Sequence, residues 1–233
     1  MHIPSGRDVV GSWRSGGPVV VWAIITICSV VWLLETALRL FSHDVYSALM
    51  VRGMFIPAVI RSCPWSWFTS MFLHAPTILH VLFNMLTLWV VGPYLERMLG
   101  HLSFAVMYVV SGLGGAVGIF VWSRVTGEWA TASYGASGAI FGLFGAVLIA
   151  HRAMGEDVRS IVIWIAINLA VPLVVSGVAW QAHVGGLVAG GVLTWLMIAG
   201  PSSLRSKTIN VRMAVYGTIV ILALVGIGVL CLM

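Results

Sequence analysis

Long apolar runs, broken by short polar or glycine-bearing connections, make up most of this chain. The first, VVVWAIITICSVVWLL from Val19, has no alternation of apolar and polar positions. It therefore reads as helix, because strands of a membrane barrel would alternate over segments of ~10 residues. Seven spans are predicted: 18–38, 78–95, 102–123, 135–150, 161–178, 183–200 and 213–233. The uncharged stretch from Ser160 to Leu204 is about twice the ~20 residues that one span needs. Pro172, Ser176, Gly177 and Gln181 interrupt it, so it is expected to be a helical hairpin.

Composition places these helices in lipid. Only 19 of 233 residues are charged, 12 basic and 7 acidic, and 60% are apolar. A soluble domain carries about a quarter charged residues, so this chain lacks the polar groups for a water-facing surface. The net charge of +5 sits in short connections, where basic residues set topology and contact anionic lipid. Nucleic acid is not an expected partner. The three cysteines, Cys28, Cys63 and Cys231, form no disulfide or metal-ligand pattern. Residues 1–17 are polar and glycine-rich, so no cleavable leader is expected and the first span reads as an anchor.

With the N-terminus cytoplasmic, the inner connections hold Arg7, Arg14, Arg97, Arg152, Arg159, Arg205, Lys207 and Arg212. The outer ones then hold Arg39, Arg52, Arg61 and Arg124, so the basic excess predicts N-terminus in and C-terminus out. The cell (plasma) membrane is the expected location. The connection at about 39–77 is long and rich in aromatic and aliphatic residues, which predicts a segment lying on or dipping into the outer leaflet.

A few polar groups interrupt the apolar segments: His80 and Asn84 in span 2, Ser137 in GASGAIFG, and His183 in QAHVGGLVAGG. All four fall near the outer ends of even-numbered spans. At ~1.5 Å per residue, Ser137 lies ~20 Å from its inner helix end, His80 ~22 Å and His183 ~26 Å, so three separate segments converge on one depth. His80 and Asn84, at i and i+4, share a helical face. Gly135 and Gly138 flank Ser137 and leave room for a substrate backbone. At a helix start, the Ser137 amide is outside the helical ladder and beside the positive dipole end, which suits a nucleophile and its oxyanion. A neutral histidine at the same depth can take the serine proton. No intramembrane carboxylate is placed to orient His183, which points to a Ser/His pair without a third member. Zinc chemistry lacks an HExxH motif, and an aspartyl mechanism lacks paired intramembrane aspartates. Gly138 and Gly142 in span 4, and Gly186 and Gly190 in span 6, form small-residue faces whose meeting would bring Ser137 to His183. His43, His74, His101 and His151 lie in or beside connections and read as interfacial.

At these residues the sequence resembles the rhomboid family of intramembrane serine proteases, through FLHAPTILHVLFNM (72–85), YLERMLG (94–100), GASGAIFG (135–142) and AHVGGLVAG (182–190). The resemblance implies an all-α polytopic fold with a six-helix core over 18–200, a linker at 201–212 and an additional C-terminal transmembrane helix at 213–233. It implies that Ser137 is the nucleophile and His183 the general base, with His80, Asn84 and the Ser137 amide forming the oxyanion site. Gly135 would open the GxSG turn, and Gly186 and Gly190 would form the close face of the sixth helix. The implied substrates are transmembrane segments with small residues at the cut and a helix that unwinds easily, and no metal or cofactor is implied. Two departures stand out. Phe141 occupies a position where many members have Tyr, and Ser66 follows Trp65 where the family often has Trp-Arg. Two other readings of the same residues remain open: a non-catalytic rhomboid-like chaperone or binding protein, and a transporter. Transport is disfavoured by the lack of an intramembrane carboxylate or lysine for ion coupling. Oligomeric state is not legible.

Overall fold

The computed structural model describes residues 16–171, 175 and 177–233. Its helices are α1 (Val19–Phe41), α2 (His43–Gly53), α3 (Ser66–Thr69), α4 (Ile78–Leu99), α5 (His101–Thr126), α6 (Ser137–Met154), α7 (Arg159–Ala170), α8 (Trp180–Ala199), α9 (Ser202–Arg205) and α10 (Ile209–Cys231). Six of them, α1, α4, α5, α6, α8 and α10, are long and apolar enough to cross a membrane. Their outward faces carry large apolar side chains, among them Leu33, Phe83, Trp89, Val188 and Leu222, as lipid requires. The protein is an all-helical, multi-pass integral membrane protein.

The predicted fifth span, 161–178, is represented by the twelve residues of α7, which cover only ~18 Å. Pro172 and Ser176, predicted to interrupt the hairpin, lie outside the described residues, as do Arg7 and Arg14 of the topology argument. Only Ile165 of α7 is buried, which makes it the least embedded of the apolar helices.

α8 lies at the centre, packed against α5 and α6. Glycines bring α6 and α8 together at backbone distance: a Cβ added at Gly186 would strike the carbonyl of Gly138, and one at Gly190 the carbonyl of Gly142. The two small-residue faces therefore meet each other. α10 covers the outer side of α5 and α8, and Ser103 Oγ donates to Asn210 Oδ1 at 2.8 Å.

α1 packs on α4 and is tied to it by a carboxylate. Pro18 precedes α1 and offers no side-chain cap. The buried Glu96 supplies it instead, its two oxygens accepting the amides of Val20 and Val21 at 2.8 Å each. A charge at a helix N-terminus also meets the favourable end of the dipole. His101 Nδ1 completes the arrangement at 2.5 Å from Glu96 Oε1.

The long connection between α1 and α4 has packing of its own. Phe55 and Ser133 exchange both backbone hydrogen bonds at 2.9 Å. The Phe55 ring meets Trp67 and Phe120 edge-on, 5.9 and 5.0 Å between centroids. The indole of Trp65 donates to the carbonyl of Arg52 at 2.9 Å, so Trp65 anchors the connection although Ser66 follows it.

Candidate active site

Ser137 is the first residue of α6, so its amide has no acceptor in the helical ladder. Its Oγ lies 2.9 Å from His183 Nε2, one turn into α8. The close α6–α8 contact makes this approach possible, because Gly138 and Gly186 lie next to the pair on the same faces. The His183 ring stacks on Phe141, 4.3 Å between centroids and 6° from parallel. Phe141, standing where many family members have Tyr, thus packs on the imidazole without a hydroxyl. His183 Nδ1 is buried with no hydrogen-bond partner among the described residues. Among the described residues, stacking on Phe141 and helix packing hold the imidazole.

Gly135 precedes the pair with φ of +120°, a region that favours glycine, and its amide donates to the Ser70 carbonyl at 2.8 Å. A Cβ there would sit 3.1 Å from His80 Nε2 and 3.8 Å from Ser137 Oγ. The same Cβ would lie 2.9 Å from His80 Cε1, so only glycine lets the His80 ring and Ser137 Oγ come this close on either side of it. Asn84, one turn below His80, is buried and donates one amide hydrogen to the His80 carbonyl at 2.8 Å. A carboxamide carries a second hydrogen, so this bond does not exhaust Asn84 as a donor. Gly190 lies two turns deeper along α8 than His183, in packing with Gly142, away from the reacting groups.

His74 differs from expectation. It was expected at the interface, but it is 1% exposed, and its ring centroid is 5.3 Å from that of His80. The connection folds inward here because Glu35 of α1 receives the His74 amide, at 3.3 and 3.2 Å to its two oxygens. Burial, reinforced by His80 beside it, lowers the His74 pKa to about 4. His43 and His151 keep partly or fully exposed positions, while His101 is bound to Glu96. Sequence reasoning gave Glu35 and Trp32 no part near the site. The structure buries Glu35 inside α1 and Glu96 inside α4, both long and apolar enough to span, so the expectation of no intramembrane carboxylate does not hold. The available signal was an acid within an apolar segment, which lipid tolerates only where it has a partner.

A profile of the rhomboid domain matches residues 61–200, more than half of the chain. The chain belongs to the rhomboid family. Over 131 residues it is 38% identical to the rhomboid protease GluP of Bacillus subtilis, covering 54% of this chain and 24% of GluP. The match to YdcA of the same organism, which also carries a rhomboid-protease name, is 32% over 189 residues, covering 78% of this chain and 89% of YdcA. The rhomboid protease AarA of Providencia stuartii is 29% identical over 166 residues, 60% of this chain and 58% of AarA. This rhomboid therefore spans only about a quarter of GluP but most of YdcA. The matched region contains Ser137, His183, His80 and Asn84.

Proposed function

We propose that this rhomboid is an intramembrane serine endopeptidase that cuts peptide bonds in or near transmembrane segments of other membrane proteins. The observation that carries the reading is the 2.9 Å approach of Ser137 Oγ to His183 Nε2, with the His80 ring packed on the other side of Gly135. That separation is within the hydrogen-bond reach needed for proton transfer.

In this reading, Ser137 Oγ attacks the scissile carbonyl carbon as its proton passes to His183 Nε2. The carbonyl π electrons move to oxygen, and the oxyanion forms beside Gly135. There it accepts hydrogen bonds from the Ser137 amide, His80 Nε2–H and the free amide hydrogen of Asn84. As the intermediate collapses, the C–N bond breaks and the leaving amine takes the proton from His183. Water then attacks the acyl carbon as its proton passes to His183, and as the C–Oγ ester bond breaks Ser137 Oγ takes that proton back and the new carboxyl end leaves. The substrate amide must first lose its helical hydrogen bond and meet water, which favours segments that unwind easily. α7, with one buried residue, is the element we expect to yield for a transmembrane substrate. The catalytic unit is residues 18–200, the N-terminus is cytoplasmic, and the site faces the outer side of the cell membrane.

A serine-directed fluorophosphonate probe tests this assignment. Purified protein should be labelled at Ser137 and should cleave a model transmembrane substrate, and Ser137→Ala and His183→Ala should lose both. Undiminished cleavage by Ser137→Ala would overturn the assignment, and folded wild-type protein that is neither labelled nor active would indicate a non-catalytic rhomboid.

A further inference from the structure

The geometry points to a clamp made by Trp32 and Glu35 of α1 that sets His80 as an oxyanion donor from outside the site. Neither residue is one of the reacting groups, so both are positioning residues. Three bonds connect them to His80. The carboxylate of Glu35 accepts the amide of His74, at 3.3 and 3.2 Å. The indole Nε1–H of Trp32 donates to the carbonyl of Ala75 at 3.1 Å. Between those two points lies the amide of Ala75, which donates to His80 Nδ1 at 2.9 Å.

Each part of this chain has a physical reason. Trp32 and Glu35 are three residues apart on one helix and so project from the same face. They hold the connection on either side of the Ala75 amide, which leaves that N–H little freedom to turn. Pro76 follows and biases Ala75 away from helical geometry. A neutral imidazole has one N–H and one acceptor nitrogen, and the bond each makes decides which is which. Because Nδ1 accepts from Ala75, the proton of neutral His80 is on Nε2. That is the edge facing Gly135 and Ser137. A carboxylate in an apolar helix thus has a role besides burial: through two backbone groups it keeps a donor aimed where negative charge develops. The same ring, turned or in its other tautomer, would present an acceptor there and repel an oxyanion.

The kinetic consequence rests on the protease reading, while the state of His80 does not, so the experiment measures both. Trp32→Phe removes the indole N–H and keeps an aromatic ring. Glu35→Leu removes the acceptor, and Glu35→Gln keeps one. With 15N-histidine protein in proteoliposomes, and His80 assigned by its loss in His80→Ala, Nδ1 should resonate as an unprotonated, hydrogen-bonded nitrogen. Trp32→Phe and Glu35→Leu should weaken that hydrogen-bond shift, and Glu35→Gln should restore it. In cleavage, the first two should lower kcat roughly ten- to hundredfold with KM nearly unchanged, the scale of loss for a misplaced catalytic group. In a His80→Ala background they should cause no further loss, because they act only through His80. An unaltered His80 resonance in folded Trp32→Phe protein would overturn the clamp, as would losses that simply add to that of His80→Ala. Should Glu35→Leu fail to fold, Trp32→Phe and Glu35→Gln decide the outcome alone. If the parent protein proves inactive, the protease reading falls while the resonance still decides the clamp.

Discussion

Two adjacent glycines in α8 should respond in opposite ways to the same methyl group. A Cβ on Gly190 would meet the Gly142 carbonyl oxygen and would lie 2.6 and 2.7 Å from the Gly142 carbonyl carbon and Cα. Every one of those atoms is backbone, so no side-chain rotation relieves the clash, and α6 and α8 must separate by about 1 Å to reach ordinary contact. A Cβ on Gly191 would meet only Ile149 Cγ1 at 3.7 Å and the Gly145 carbonyl at 3.8 Å, which is ordinary van der Waals contact. Both changes gain up to about 1 kcal/mol of helix propensity, so their difference isolates packing. Overpacking should cost Gly190→Ala about 1–3 kcal/mol, leaving Gly191→Ala neutral or slightly stabilised. The same separation acts on the active site we propose. Ser137 and His183 are carried by these two helices and lie 2.9 Å apart, so a shift of about 1 Å breaks their hydrogen bond and should cost on the order of 10²-fold in kcat. Thermal unfolding in detergent gives the first quantity, and cleavage per folded molecule gives the second. Equal melting temperatures and equal turnover for Gly190→Ala and Gly191→Ala would refute the backbone-contact argument.

Three further outcomes follow from other contacts. Asn84→Ala should lower kcat by ~10² to 10³ with little change in KM if its second amide hydrogen meets the oxyanion; normal turnover with stability reduced by about 1 kcal/mol would leave it as helix packing only. Glu96→Ala removes two charge-assisted bonds to the first turn of α1 and should lower stability by about 2–4 kcal/mol, with Glu96→Gln in between; an unchanged unfolding midpoint would contradict the cap. His74 is held near pKa 4 in the fold, against an ordinary value of 6.5, so it stabilises the folded state fully above pH 6.5. That contribution is lost as pH falls from 6.5 to about 4, because the unfolded chain takes up the proton first, and it should reach roughly 3 kcal/mol. Replacing His74 with Asn should therefore flatten the acid side of the stability profile relative to the parent, and identical profiles would refute it.

The features readable from sequence were those linear in residue number. Depth along a helix is a count multiplied by a fixed rise, so Ser137, His183 and His80 converge without knowledge of packing. A four-residue glycine spacing defines a face, so the α6–α8 contact was also legible. Features that join residues far apart in sequence were not. Glu96 caps a helix that begins about 75 residues earlier, and Glu35 receives the His74 amide about 40 residues later. Nothing in the local pattern around Glu96 or Glu35 names those partners. His74 was misjudged for the same reason: a histidine in a connection is interfacial by default, and only the inward fold of the connection buries it.

These nonlocal bonds share a direction that bears on how the site is built. α1 contributes no residue to the Ser137–His183 pair, yet buried carboxylates link it to the rest of the bundle at both ends. Near its start it receives Glu96 from α4, and near its end Glu35 receives the connection that leads back into α4. The cost of burying each carboxylate is offset only if its backbone partners stay in place. Loss of either contact would leave a poorly satisfied acid in an apolar setting, so α1 and α4 are constrained to keep their register. Because α4 carries His80 and Asn84, the Glu96 contact also sets the height of both proposed oxyanion donors against Ser137, while the Glu35 contact acts through His80 alone. The small-residue contact between α6 and α8 fixes the attacking pair, while the acid-anchored contact between α1 and α4 fixes the groups that would receive the developing charge. The two halves of the proposed chemistry are thus held by different kinds of packing, and substitutions should separate them: Gly190→Ala in α8 should break proton transfer, and changes in α1 should weaken oxyanion stabilisation while leaving the Ser137–His183 approach intact.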